Sequence, residues 1–523
     1  MRQSQRFRLS PGTAALLSEL GPKPAPPRFW RSNARVLDLL TQVGESNDAA
    51  AIGEILAFGL AAEDEIRSAA RFAIGKLFAL LPLEALPQLD DLLRHRWSNL
   101  NDWHDLSPEP GAADWTLPED RLFLALLSCH SNGFIREKAL WQMNEDPSES
   151  TLPFLMLRLV DWVPAVRHAA AIAFARKCTA SYSQPIVNCL GLLDLLSHSS
   201  RYPLSLDTSI EALLHAPECA AALRAGCHAA SRRVRARSFH CAVDNPAIAT
   251  DQLYRTASSD RDSGIRSWAF QNCSVLHHEA AQDPFGPIRR IAFEAFRAES
   301  PASREQLRPF LFDVSASIRR DCQALFADAA AVYRAAIGQD SRHTAIAIRG
   351  LVETGDRSDA ALILSKIGHP LARVRQAVVV AIQAFGLEDQ HEVLLRLVTT
   401  DRPLVAREAA RTLLRGVERP AETVWAAVRM HPDPRVSRTV ITLFRGIGKW
   451  RQLAIYLDAV AAEDLILADS ATKLLMAWFG AYNKSFEQPD AAAVVLLQER
   501  LEQLNSHLPA PLLRELRSIL AGV

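Results

Sequence analysis

Residues that could do chemistry gather at a few places in this 523-residue chain. The first is an insertion at about 97–120. It reads Trp97-Ser98-Asn99-Leu100-Asn101-Asp102-Trp103-His104-Asp105, followed by Pro108, Pro110, Gly111, Asp114 and Trp115. Asp102, His104 and Asp105 offer oxygen and nitrogen donors to a metal, but ligands this close together with no second cluster make a poor coordination shell. An exposed tryptophan is disfavoured unless its loop folds back or meets a partner. Trp97, Trp103 and Trp115 therefore mark either a contact site or a loop pinned to adjacent helices. The second place is the acid-free run from Arg224 to His240, which holds Arg224, His228, Arg232, Arg233, Arg235 and Arg237. Such a run could meet a nucleic-acid backbone, whose affinity rests on these charges, yet Phe239 alone is there to stack on a base, so a solvated helix face is the competing reading. Asp161-Trp162, beside Arg158 and Arg167, is the remaining cluster. The chain has no glycine-rich phosphate loop, HExxH or nucleophile elbow, and Gly446-Ile447-Gly448-Lys449 reads as a helix end.

These residues are carried on an array. An apolar residue followed by arginine returns as Ile66-Arg67, Ile135-Arg136, Val166-Arg167, Val234-Arg235, Ile265-Arg266, Ile288-Arg289, Ile318-Arg319, Ile348-Arg349 and Val374-Arg375. It returns with one residue inserted as Val405…Arg407 and Val436…Arg438. Arg136 to Arg167 and Arg407 to Arg438 are each 31 residues apart, and Arg289, Arg319 and Arg349 follow at intervals of 30. Equal short units of this kind predict a repeat array rather than separate domains. Gly355, Gly386, Gly416 and Gly446 recur where helices run out, the position at which a left-handed residue closes the last turn. An apolar first helix follows each glycine: 361–367, 393–398, 424–428 and 453–457. A turn rich in Asp and Pro then leads to a second helix carrying the arginine phrase. Small residues on that helix (Ala69, Ala139, Ala169, Ala269, Ala292, Ala377, Ala409) allow close stacking of neighbours.

Composition agrees with a helical protein: apolar residues make up 49% and Tyr is scarce. Acidic and basic residues balance at 59 each, which removes the simplest argument for a nucleic-acid or membrane partner. The balance is global only. Residues 41–150 hold 19 acids and 8 bases, whereas 224–450 hold 24 acids and 33 bases. The eight cysteines show no CxxC pair and read as buried, reduced thiols of a cytoplasmic protein. No segment has the apolar run of a signal peptide or a membrane span.

Phrases of the form D-x-x-x-x-(V/I)-R, such as Asp161…Val166-Arg167 and Asp313…Ile318-Arg319, resemble HEAT repeats over about residues 40–480. They are most similar to the short bacterial HEAT-like repeats named after phycobilisome lyases. The resemblance implies an all-α fold, an α-α superhelix (HEAT-like solenoid) of roughly a dozen helical pairs and on the order of 100 Å in length. It also implies that the repeated arginines pair with aspartates as a ladder, the alternative being a groove for phosphates or acidic peptides. Scaffolds, lyases, DNA-lesion enzymes and hydroxylases all use such arrays. His277-His278-Glu279 and His391-Glu392 are similar to the iron-binding dipeptides of deoxyhypusine hydroxylase, a HEAT-like enzyme with four of them where this chain has two. A lesion-specific glycosylase of this build would use Asp161-Trp162.

The expected organisation is an arm over 1–29, containing Pro22, Pro24, Pro26 and Pro27, a solenoid over 30–490 and capping helices over 491–523. The expected function is that of a non-catalytic, cofactor-free, protein-binding scaffold in a bacterial cytoplasm. It would work through the concave face of the solenoid, with Trp97, Trp103 and Trp115 as anchors. The alternative is a nucleic-acid-binding array using Arg232, Arg233, Arg235 and Arg237, and a HEAT-like lyase or metal-dependent hydroxylase comes after it. The partner, oligomeric state and pathway are not legible.

Overall fold

The computed structural model describes the whole chain apart from residues 1–6, 22–32, 62, 98–116, 299–300, 417–419, 485, 505–507, 509 and 523. Every regular element among the described residues is a helix, so the protein is an α-α solenoid of paired helices. It divides into two compact units, Met1–Ala280 and Ala281–Val523. No helix among the described residues is long and apolar enough to cross a membrane.

Each arginine phrase falls on the second helix of a pair. In the first unit these helices include Asp64–Ala79, Gly133–Glu145, Pro164–Lys177, Arg232–Val243 and Ser263–Asn272. In the second they are Gly286–Ala298, Ala316–Gln323, Thr344–Thr354, Ala372–Phe385, Pro403–Arg415 and Pro434–Val440. The β-branched residue of the phrase is the inward anchor: Val166, Ile288, Ile348, Val405 and Val436 have no accessible surface. The alanines behind it are buried as expected, with one exception. Ala69 is half-buried, and its neighbour Ala70 takes the inward position. Small side chains let successive second helices approach, so the buried residues from Leu20 to Ala269 form one continuous apolar cluster in the first unit.

First helices of 5–12 residues include Ala360–Leu364, Leu152–Arg158, Ala421–Arg429 and Lys449–Val460, with Pro301–Phe312 a 3-10 helix. Aspartates do cap second helices: Asp262 accepts from Gly264 and Ile265, and Asp433 accepts from Arg435. The glycine expectation holds at half of its positions. Gly355 (φ 80°) and Gly386 (φ 61°) close their helices in the left-handed region, but Gly416 is extended (φ −63°) and Gly446 ends the 3-10 helix Ile441–Gly446. Within 1–29 the residues Pro11–Leu20 form a helix, whose Ser10 cap accepts from the Thr13 N–H at 3.2 Å. Beyond residue 490 the described helices are Ala491–Gln503 and Ala510–Ala521, and Arg500 reaches the Ala454 carbonyl at 2.7 Å.

Candidate functional site

The recurring arginines make a ladder, and its parts explain the D-x-x-x-x-(V/I)-R spacing. In most rungs a turn aspartate uses Oδ1 to accept the N–H two residues on, Asp401 taking the Arg402 N–H at 2.6 Å instead. Asp161 does so from Val163, Asp260 from Asp262, Asp283 from Phe285, Asp313 from Ser315 and Asp464 from Ile466, at 2.7–3.1 Å. The aspartate carbonyl accepts from the arginine six residues ahead, Arg167 to Asp161 at 2.7 Å and Arg319 to Asp313 at 2.6 Å. The arginine of the preceding repeat grips the carboxylate with two prongs: Arg136 on Asp161, Arg235 on Asp260, Arg289 on Asp313, Arg375 on Asp401 and Arg438 on Asp464. One aspartate thus receives two consecutive repeats and a turn, and only the planar fork of arginine supplies that geometry. Burial opposes the charge of Asp260, but the Arg235 hydrogen bonds hold its carboxyl below the usual carboxylate range.

The ladder absorbs Arg235 of the basic run, which is nearly sequestered (4% exposed) and also bonds the Ala229 and Ala230 carbonyls. Of the other four arginines of the run, Arg224 bonds the Ala247 carbonyl at 2.6 Å and three meet a carboxylate from a different element. Arg232 meets Asp262 at 2.7 Å, Arg233 meets Asp194, and Arg237 meets Glu211 at 3.0 Å and Asp207 at 3.5 Å. The acids lie far off in sequence, which is why the run reads as unopposed. Of the tryptophans, Trp97 ends the helix Leu86–Trp97. Trp103 and Trp115, together with Asp102, His104 and Asp105, lie outside the described residues.

Asp161 is the most loaded rung. Besides Arg136, it takes Arg158 at 2.9 Å and Arg94 at 3.1 Å, and its side chain has no accessible surface. Arg94 and Arg158 both also reach Asp90, at 3.0 and 2.7 Å. Burial pushes the Asp90 carboxyl up to about 6 against the pull of Arg94. Trp162 covers the cluster, with the Arg94 and Arg136 guanidinium carbons 4.1 and 4.6 Å from its ring centroid. Asp161-Trp162 is therefore an electrostatic knot inside the first unit.

Among the described residues no group of three His, Cys, Asp or Glu side chains could hold a metal ion. All eight cysteines are free and six are buried; burial pushes Cys189, Cys227 and Cys322 up to about 12 and Cys241 to about 11. A groove of about 540 Å³ in the second unit is walled by Trp425, Arg429, Trp450, Arg451, Asp458 and Arg500. Its charges satisfy one another: Asp458 takes Arg500 at 2.8 Å and Arg429 at 3.6 Å.

Two rungs of the second unit are different, and the apolar-Arg phrase does not reveal them. In the turn ahead of Ala372–Phe385 the aspartate is replaced by His369, and ahead of Pro434–Val440 by His431. Each accepts the N–H two residues on through Nδ1, from Leu371 at 3.0 Å and from Asp433 at 2.9 Å, as an aspartate Oδ1 would. A neutral imidazole can fill that role but cannot grip a guanidinium. The preceding phrase arginines, Arg349 and Arg407, accordingly have no hydrogen-bond or carboxylate partner among the described residues. Arg407 Nε is buried without an acceptor, and His431 Nε2 occupies the Asp401 carbonyl at 2.7 Å that Arg407 would otherwise take. The histidines were legible as departures from the aspartate spacing, had the spacing been aligned turn by turn.

No family model matches this chain, and no curated protein matches it. Among solved structures it is similar to an engineered protein from a structural genomics consortium, at 14% identity over 90% of this chain and 99% of that one, with a TM-score of 0.17. It is also similar to a chain of the Kap95:Nup1 complex, at 14% identity over 91% of this chain and 67% of that one, with a TM-score of 0.32. A third similarity is to a chain of a Kap95p structure with RanGDP, at 12% identity over 98% and 67%, with a TM-score of 0.30.

Proposed function

We propose that this chain is a non-catalytic protein-binding scaffold of the short-repeat, bacterial HEAT-like kind, working in the cytoplasm. The observation that carries the reading is a set of apolar side chains left in solvent at the turns entering the second helices. Phe134 and Trp162 occupy such positions in the first unit, and Val314, Leu371, Leu404 and Leu465 do so in the second. Exposed apolar groups repeated at equivalent turns cost solubility unless a partner covers them. They suit a protein surface better than a phosphate backbone. The pairing of Arg232, Arg233, Arg235 and Arg237 supports the same preference, because a nucleic acid would have to displace their carboxylates. Trp97, Trp103 and Trp115 serve in this reading as further anchors, and the helices after residue 490 close the array. Preformed helices keep the ordering cost of binding low.

The test is a pull-down with tagged protein from native lysate, with and without nuclease, read by mass spectrometry and nucleic-acid staining. A defined protein retained after nuclease is the expected result. Recovery of nucleic acid alone, lost on nuclease treatment, would overturn the scaffold reading.

A further inference from the structure

We propose that Arg349 and Arg407, with Leu371, Leu404 and Met430, form a docking site for an acidic, leucine-like apolar stretch of a partner protein. This inference rests on the scaffold reading and names the chemistry of the partner.

The argument begins with what the two guanidinium groups lack. Elsewhere in the second unit a phrase arginine finds its carboxylate in the next turn or helix: Arg289 at Asp313, Arg319 at Glu353, Arg375 at Asp401 and Arg438 at Asp464. Arg349 and Arg407 flank Arg375 and are half-buried, with the turns ahead of them closed by His369 and His431. Arg407 Nε is buried without an acceptor and Arg349 stands half-buried with no carboxylate among the described residues, so a carboxylate from outside would serve them as Asp401 serves Arg375.

The second observation is the exposed apolar side chains at the turns of these repeats. Leu371 is the residue before Ala372–Phe385, Leu404 is the second residue of Pro403–Arg415, and Met430 immediately precedes His431. They are 47%, 55% and 76% exposed. By repeat equivalence with Arg375 and Asp401, Arg349 and Arg407 face the turns of His369 and His431, next to which Leu371 and Met430 stand, and the complementary chemistry is acid interspersed with leucine or a similar residue. Thr344–Thr354, Ala372–Phe385 and Pro403–Arg415 pack in succession. At about 8–10 Å per packed helix, Arg349 and Arg407 stand roughly 16–20 Å apart, or about five to six residues of extended peptide.

The probe is a fluorescein-labelled peptide of about twelve residues, alternating Glu and Leu, titrated with the full chain and read by anisotropy; the comparison peptide replaces every Leu by Ser at the same charge. Wild type is expected to bind the Glu-Leu peptide saturably and the Glu-Ser peptide more weakly. R349Q/R407Q should weaken binding by about tenfold or more, while R297Q/R320Q, a charge-matched control, should leave it unchanged. H369D/H431D should weaken binding as well, because the new carboxylates would recapture both arginines. This second variant keeps the proposal falsifiable if the first loses helicity by circular dichroism. Absence of saturable binding, equal binding of the two peptides, or unchanged binding by H369D/H431D would overturn the site. A lysate partner indifferent to R349Q/R407Q would remove this site and leave the scaffold reading standing, whereas nucleic acid alone in the lysate experiment would remove both.

Discussion

Arg136 and Asp161 are 25 residues apart in the chain and meet in a two-pronged pair at 2.9 and 3.0 Å, with neither side chain accessible to solvent. Arg136 also bonds the His130 and Ser131 carbonyls, both at 2.9 Å, so one guanidinium ties its own turn to the turn of the next repeat. The pair holds two repeats in register. Its orientation is specified by geometry that an apolar contact would leave loose.

Removing the aspartate should therefore hurt more than removing the arginine. D161A strands Arg94, Arg136 and Arg158 without their shared carboxylate and is expected to cost about 3–5 kcal/mol, while R136A leaves Asp161 with two cations and should cost less. Urea unfolding followed by circular dichroism measures both. Equal midpoints for the two variants would show that Asp161 is no hub.

Asp90 makes stability depend on pH in a direction opposite to Asp260 and Asp464, whose arginine partners hold their carboxyls low. Its folded carboxyl lies at about 6, above the value of 3.8 for a free one. Proton uptake therefore favours the folded state. That contribution is complete below about pH 4 and is lost as pH rises through about 6. D90N, which mimics the neutral acid, should exceed wild type by on the order of 3 kcal/mol at pH 8 and converge with it near pH 4. Melting curves across that range decide the matter, and a D90N variant less stable at pH 8 would refute the account.

Two glycines of the repeat series should respond in opposite ways to alanine. Gly355 sits at φ 80° with open space around it, so G355A pays only for the left-handed backbone, about 1–2 kcal/mol. Gly446 also has open space but an ordinary backbone, and G446A should be neutral or stabilising by up to about 1 kcal/mol. Thermal melts of the two single variants test the pair; a loss of equal size in both would contradict the assignment.

W103A/W115A should weaken binding of the partner recovered from lysate without changing the circular dichroism spectrum. A lowered melting temperature with unchanged affinity would assign these tryptophans to pinning their loop instead.

The helical array and the position of each second helix that carries the arginine phrase were legible in the sequence, because the anchor before each arginine must be buried once per repeat and the repeat length is nearly constant. Ile288, Val405 and their counterparts are inaccessible for that reason. The aspartate six residues before the arginine was legible as well, since both ends of that bond belong to one turn. What the tertiary structure alone decided is which charge meets which. The Arg232 to Arg237 stretch contains no acid, yet Asp194, Glu211, Asp260 and Asp262 come to it from other helices. The sequence likewise shows Arg349 and Arg407 as ordinary members of the series. His369 and His431 depart visibly from the aspartate spacing, but only the fold shows that no other carboxylate among the described residues reaches those two cations. Burial patterns are periodic and local, so a single strand of text carries them; charge pairing depends on which turns are stacked, and that is settled in three dimensions.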